Sequence, residues 1–298
     1  MPEARARKAL ALAGLDASAP LSRASSQANE AWLGPGYVLR VNARGDIGRL
    51  QREAHIAASL PPEARHPGVL DWGTDGEIEW SVVRRVQGID LSRAWPDLDR
   101  RARERATREL AQALRALHGV NTADLPTDDD LKPPHTLPLE RLLELVQRVR
   151  RRGVDAGLMD DVERLVSAHW AAFDRANTGL VHGDPHLENV LWDGEHVSAL
   201  IDLEWSRRSW LEVDLETILS FCDHPALFVS ADYEALARAS DYADVPRWLR
   251  EEYPAWFAHP ESSKRLTLLH VSRTLGLIID SPTVPEVRLE HLRAVLHG

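Results

Sequence analysis

Residues 180–205 read LVHGDPHLENVLWDGEHVSALIDLEW, and three of them have types and spacing that suit phosphoryl transfer. Asn189 lies five positions after Asp184, and Asp202 lies thirteen after Asn189, at the end of the apolar stretch VSALI. A carboxylate in the place of Asp184 can accept the proton of an attacking hydroxyl. An amide oxygen and a second carboxylate, from Asn189 and Asp202, can hold Mg2+, the hard cation that bridges nucleotide phosphates and neutralises their charge. Such ligands must be fixed to a fraction of an ångström, which calls for a loop pinned by strands. The same run admits a second chemistry. His182, Asp184 and His186 alternate, so a strand would turn all three to one face as the metal ligands of a hydrolase. Pro185 within the run disfavours a central strand, and zinc hydrolases draw on further His ligands.

The elements that must position these residues are legible on both sides. NVLWD and VSALID read as two short strands around the charged turn. Upstream, YVLRV (37–41) is a strand by its β-branched and aromatic content, and Ile47, Leu50, Ala54, Ala57 and Ala58 follow at helical spacing until Pro61-Pro62. Two more strands flank the hairpin-type turn at Asp75-Gly76. From Leu91 the character is helical: Ala106, Leu110, Ala113, Leu114 and Leu117 share one face, and helices are expected near 138–151 and 158–176. The Pro-rich segment NTADLPTDDDLKPPHTLP between them reads as a surface excursion. After Glu212 the chain again reads as helical, with an amphipathic KRLTLLHVSRTLGLII near its end. An α+β chain results, with a small β-rich lobe ahead of a larger helical lobe and a ligand crevice between them.

Composition narrows the partners. The 298 residues carry a net charge of −10, unevenly placed: residues 1–150 hold 22 basic and 21 acidic side chains, residues 151–298 hold 14 and 25. Such a surface repels nucleic acid and draws cations. Cys222 is the single cysteine, which excludes an internal disulfide and suits a reducing cytoplasm. The N-terminal apolar run is short and Ala-rich and reads as a surface helix, and no window is long and apolar enough to span a membrane. Lysine is scarce, 3 against 33 arginines.

HGDPHLEN followed by IDLEW resembles the catalytic loop and metal-binding segment of the aminoglycoside phosphotransferases, within the kinase-like group that includes choline, homoserine and fructosamine kinases. The fixed letters of that motif match at His182, Gly183, Asp184, His186 and Asn189, and again at Ile201-Asp202. The resemblance spans roughly residues 20–220 and implies a bilobal protein-kinase-like fold, with residues 1–87 as nucleotide-binding lobe and 88–298 as catalytic and substrate lobe. It implies Asp184 as catalytic base, His186 steadying the loop or touching the transferred phosphoryl group, and Asn189 and Asp202 on Mg2+. His182 is expected to pack beneath the loop. Asp214 would brace the loop from the next helix; its alternative is a helix N-cap. In the front lobe Arg40 stands where the family's phosphate anchor is more often Lys, with Glu53 as its helix partner. A guanidinium is also a phosphate ligand, bidentate and longer. Adenine would meet the Arg84 carbonyl and the Val86 amide, while Ser25, Ser26 and Asn29 would supply a phosphate loop that lacks a Gly-rich run. The co-substrate would be ATP or GTP, and the protein a monomer or homodimer.

For the acceptor, residues 203–261 hold twelve Asp/Glu against five Arg. Glu204, Glu212 and Asp223, with Asp232, Glu234, Asp241, Asp244, Glu251 and Glu252, would bind the ammonium groups of a small cationic hydroxylated substrate, an aminoglycoside or basic peptide antibiotic. Solvated helix faces are the plainer account of each such carboxylate. Trp205, Trp210, Trp248 and Trp256 could instead cage a quaternary ammonium, as in a choline-type kinase. A metabolic kinase for a small alcohol or sugar is the alternative to the antibiotic reading. A catalytically silent binding fold has no need of Asp184, Asn189 and Asp202 together.

Overall fold

The computed structural model describes residues 2–24, 30–42, 48–125, 138–173 and 177–297. Helix α1 (Pro2–Leu12) leads into strands β1 (Ser22–Arg23), β2 (Glu30–Gly34) and β3 (Tyr37–Asn42), then helix α2 (Arg49–Ala58) and strands β4 (Val69–Thr74) and β5 (Glu79–Arg84). The five strands form one antiparallel sheet in the order β1-β2-β3-β5-β4. Alternation along β3 sends Tyr37, Leu39 and Val41 to one face, where they pack with Trp32, Trp80 and Val82 under Ala6, Ala9 and Leu10 of α1. Arg40 therefore faces the other way, towards α2. Glu79 fixes the start of α2 by accepting the Gln51 N–H at 2.8 Å, which supplies one of the bonds a helix N-terminus lacks. At the β4–β5 turn, Asp75 accepts the N–H groups of Glu77 and Ile78, and Gly76 takes φ +91°.

The chain leaves the sheet through β6 (Ile89–Asp90) and becomes mainly helical: α3 (Leu91–Ala94), α4 (Arg100–His118), α5 (Leu139–Arg150) and α6 (Ala156–His169). Strands β7 (Thr178–Val181), β8 (Val190–Trp192), β9 (Val197–Leu200) and β10 (Arg207–Trp210) follow, then α7 (Glu212–Asp223), α8 (Val245–Glu252), α9 (Ser262–Asp280) and α10 (Glu286–His297). The antiparallel pair of β7 and β10, and the β6-β8-β9 sheet, frame the 182–206 segment. The apolar face expected on α4 is buried throughout. Helix α6 starts two residues earlier than expected because Asp155 caps it, accepting the Leu158 N–H at 2.8 Å, and it gives way to a 3-10 turn at Trp170. Residues 224–244 are turns and short 3-10 segments rather than continuous helix, starting where Pro225 cannot extend α7. Among the described residues no helix is long and apolar enough to cross a membrane.

Helix α9 departs most from its pattern. It reads as amphipathic, yet residues 268–276 are buried apart from the half-buried His270, because Leu269 joins the core beneath the 182–206 segment while Leu268, Val271, Leu275 and Ile278 join a second core with α5, α6 and α10. Its two buried arginines are paired with α7. Arg265 meets Glu212 at 3.0 Å and donates to the Ala172 carbonyl at 2.7 Å, and Arg273 meets Glu216 at 2.7 Å. Truncating one member of such a pair leaves the other charged and unsolvated. Arg265→Met should therefore lower the unfolding free energy by about 3–5 kcal/mol in chemical denaturation. Burial alone would push the Glu216 carboxyl up, but Arg273, His270 and Ser220 hold it at about 2. With the folded-state value below the ordinary 4.5, this stabilisation is full above pH 4.5 and is lost as pH falls towards 2. Glu216→Gln should be less stable at neutral pH and show a flatter acid limb in pH-dependent unfolding.

Candidate active site

Strand β7 delivers the 182–189 loop, and Asp214, buried in the first turn of α7, holds it. Its two carboxylate oxygens accept the His182 N–H at 2.8 Å and the Gly183 N–H at 2.7 Å, and one also takes His118 Nε2 of α4 at 3.0 Å. Asp214 thus braces the neighbouring loop and does not cap its own helix. Gly183 is required twice over: its φ is +88°, and an added Cβ would lie 2.4 Å from the Trp205 carbonyl oxygen. The buried His182 has its pKa lowered by desolvation. Its Nε2–H donates to the Ile201 carbonyl at 2.9 Å and its Nδ1 accepts the Asp184 N–H at 3.3 Å, a tautomer assigned from those partners.

The Asp184 carboxylate lies 3.3 Å from His186 Nε2. Burial would raise its pKa, but His186, with Arg273 and His182 behind it, brings it down to about 2. His186 is shifted the opposite way, burial lowering it and Asp184 more than compensating. Its ring is held between Phe221 and Phe228 at centroid distances of 6.2 and 5.5 Å. Asn189 donates its side-chain N–H to the Asp184 carbonyl at 2.8 Å, which directs Oδ1 away from the loop backbone. Asp202 sits in the left-handed region at φ +68°, an uncommon conformation for a residue with a side chain and one that clusters at functional sites. Amide and carboxylate oxygens of this kind suit a hard divalent cation. Among the described residues no three His, Cys, Asp or Glu side chains form a metal cage, and His182 and His186 turn to different partners, which removes the hydrolase arrangement.

The sheet reaches this segment through one guanidinium. Arg40 meets Glu53 of α2 at 2.5 Å and Asp202 at 2.9 Å. Burial would lower the Arg40 pKa, but Glu53, Asp202 and Glu204 raise it, so the side chain stays charged. Glu53 also accepts the Leu203 N–H at 3.4 Å. One and four positions earlier on α2, Arg52 donates to the Glu204 and Ser206 carbonyls, and Arg49 lies 5.5 Å over the Trp205 ring. These two arginines escape a reading based on residue type because an arginine on a helix is ordinarily a solvated one; only Arg49, one turn before Glu53, shares its face by spacing. Past β5, Gly88 runs close to the β8–β9 hairpin, where a Cβ would meet Ser198 Oγ at 2.9 Å. The Arg84 N–H is taken by the Gly68 carbonyl at 3.0 Å, whereas the Val86 N–H has no hydrogen bond among the described residues.

The model of the phosphotransferase enzyme family matches residues 19–252. The chain belongs to that family. Among curated relatives of this phosphotransferase-family chain, an aminoglycoside 3'-phosphotransferase of Streptomyces fradiae is 32% identical over 139 residues, 43% of this chain and 46% of the relative. A homoserine kinase of Rhizobium meliloti (strain 1021) is 28% identical over 229 residues, 74% of this chain and 65% of the relative. The chain thus spans about half to two-thirds of the length of these relatives. Among solved structures, a thermostable mutant of aminoglycoside phosphotransferase APH(4)-Ia in a ternary complex with ADP and hygromycin B superposes with a TM-score of 0.64 at 19% identity, covering 98% of this chain and 97% of the other. A choline/ethanolamine kinase family protein from Mesorhizobium loti gives 0.63 at 21%, covering 100% and 96%. At those identities the likeness establishes the kinase-like fold: an antiparallel sheet first, a mainly helical body after it.

Several substrate expectations need correction in this phosphotransferase-family chain. Glu212 is fully buried in its pair with Arg265 and faces no cleft. Asp241, Asp244, Glu251 and Glu252 tie the α8 region to α4 through Arg103, Arg100, Arg108 and Arg115. Trp248 and Trp256 are core residues, the latter donating to the Leu211 carbonyl, so the four-Trp cage does not form. Glu204 lies beside Asp202, and burial and Asp202 raise its pKa to about 7. Asp223 is exposed at the end of α7. Ser25, Ser26 and Asn29 lie outside the described residues. The loop brace has a direct test. Asp214→Asn turns one acceptor into a donor facing an N–H group, so stability should fall by about 1–3 kcal/mol and amide exchange at His182 and Gly183 should accelerate in hydrogen-exchange measurements.

Proposed function

We propose that the chain is a Mg2+-dependent O-phosphotransferase that moves the γ-phosphoryl group of ATP or GTP to a hydroxyl of a small molecule. The observations that support this reading are the contacts of Arg40 with Glu53 and Asp202, the bond from Asn189 to the Asp184 carbonyl, and the Ile201 N–H on the Asn189 carbonyl that sets Asp202 beside that loop. Residues 1–87 act as the nucleotide lobe and 88–298 as the catalytic and acceptor lobe. Arg40 anchors the α- and β-phosphates while Glu53 holds its guanidinium in place, and the Val86 N–H and the Arg84 carbonyl read the base. Asp184, kept ionised by His186, orients the acceptor hydroxyl and takes its proton. Asn189 and Asp202 would hold Mg2+, which would offset the negative charge of the nucleotide phosphates. A reducing cytoplasm suits the single, buried Cys222.

For the acceptor, a small cationic hydroxylated antibiotic, an aminoglycoside or basic peptide, is supported by the aminoglycoside 3'-phosphotransferase relatives and by Glu204 and Asp223. A metabolic small-molecule kinase is favoured by a separate observation: most of the acidic run that argues for a polycation is spent on ion pairs to α4, α8 and α9. A panel of aminoglycosides, basic peptides, amino alcohols, hydroxy amino acids and sugars, read by ADP release, separates them. Whichever acceptor responds, Asp184→Asn should lower turnover by about 10²–10⁴-fold. Asp202→Asn should weaken Mg2+–nucleotide binding in calorimetry. Full turnover by Asp184→Asn would remove the assigned base.

A further inference from the structure

Basic side chains from three helices gather where α7 ends. His224 follows α7, His270 and Arg273 come from α9, and Arg288 and His291 from α10. The His224 and His291 rings stack at 3.8 Å between centroids, and His270 lies 6.1 Å from His291. Part of this charge is satisfied within the fold: Arg273 is committed to Glu216 and Thr217, and His270 Nδ1 sits 3.3 Å from both Glu216 and Ser220. The remainder is not. The partly buried Arg288 guanidinium makes no ion pair or hydrogen bond among the described residues, and His291, only 7% exposed, has a buried Nδ1 without a partner. Of the nearby carboxylates, Glu216 is taken by Arg273, Glu286 pairs with Arg293, and Asp223 and Glu290 are exposed and make no ion pair among the described residues.

A buried imidazole nitrogen without a partner, on the same helix as an unpaired guanidinium, marks a place for a polar anionic group. The cluster also borders the catalytic loop. Phe221, one turn before His224, packs on His186, and Arg273 is close enough to help depress the Asp184 carboxyl. Burial lowers the pKa of His224, of Arg288 and of His291, the last to about 4, and neighbouring basic groups add to this, while Asp223 and Glu216 pull His224 and Arg288 respectively the other way.

We propose that Arg288, His291 and His224 form an acceptor subsite for a carboxylate, so that the phosphorylated molecule carries a carboxylate as well as its hydroxyl. Resting on the phosphotransferase reading, this narrows its acceptor. Arg288 offers a planar pair of N–H donors that matches a carboxylate, the His291 ring supplies a further donor, and Asp223 at the rim is placed for an ammonium group of the same molecule. A polycation without an anionic group would meet repulsion here.

The test follows the histidine ring resonances of the full chain by NMR at fixed pH, with malonate as the carboxylate probe. Saturable shifts at His224 and His291 are expected, together with a rise of the His291 titration midpoint from about 4. Arg288→Gln should weaken malonate binding about tenfold, and Arg288→Lys less. No saturable shift up to tens of millimolar malonate, equal affinity in wild type and Arg288→Gln, or tighter binding of inorganic phosphate than of malonate would overturn the assignment. Calorimetry with Mg2+ and AMP-PNP on the same wild-type sample reports the nucleotide site separately. Absence of nucleotide binding would count against the phosphotransferase reading and leave the anion result standing on its own.

Discussion

Carboxylates crowded into one poorly solvated cleft repel each other, and everything in this site follows from how that repulsion is contained. Glu53, Asp202 and Glu204 gather around Arg40 where the sheet meets the helical body, and Asp184 lies on the 182–189 loop. Arg40 answers three of them, in contact with Glu53 and Asp202 and raised further by Glu204, while His186 answers Asp184. The rise of Glu204 to about 7 shows where compensation stops short, since burial and Asp202 outweigh Arg40 and Arg49 there. The same guanidinium ties β3 to α2 and both to the segment after β9. The Arg40 contacts thus serve electrostatic compensation and, with the Arg52 and Glu53 bonds to residues 203–206, the alignment of the two halves.

The placement of the candidate site residues was legible because it is local. His182 to Asn189 is a single loop, Asp202 follows the strand β9, and each residue's place depends on spacing along a few positions. Arg40 and Glu53 could be placed because the alternation of YVLRV and the helical period after it determine which faces they occupy. The acidic tail misled for the opposite reason. Whether Asp244 or Glu251 is free depends on arginines of α4 more than 130 positions earlier, and composition counts charges without their partners. Glu212 shows the same limit, its partner Arg265 lying 53 residues on. The left-handed conformation of Asp202 had no local signal, because Asp tolerates that region without announcing it as Gly does. Nor could α9 reveal its burial: two different cores contact it from two sides, and each of its faces read alone resembles an ordinary amphipathic helix.

The scarcity of lysine has a structural counterpart. Arg40, Arg265 and Arg273 each serve two or more oxygen partners from sites with little access to water. A planar guanidinium does this with less desolvation than an ammonium, and its geometry orients both partners at once. Arg288 on α10 has the same chemistry but no partner among the described residues.

The central claim is that Asn189 and Asp202 hold Mg2+ beneath a nucleotide's terminal phosphate while Arg40 turns to the phosphates. A crystal structure of the full chain with Mg2+ and AMP-PNP tests it directly. The account predicts the cation on Asn189 Oδ1 and Asp202, the γ-phosphate facing Asp184, and Arg40 on the phosphates with its Glu53 contact kept. A cation bound elsewhere, or a nucleotide lodged outside the cleft with Arg40 still locked on Asp202, would contradict it.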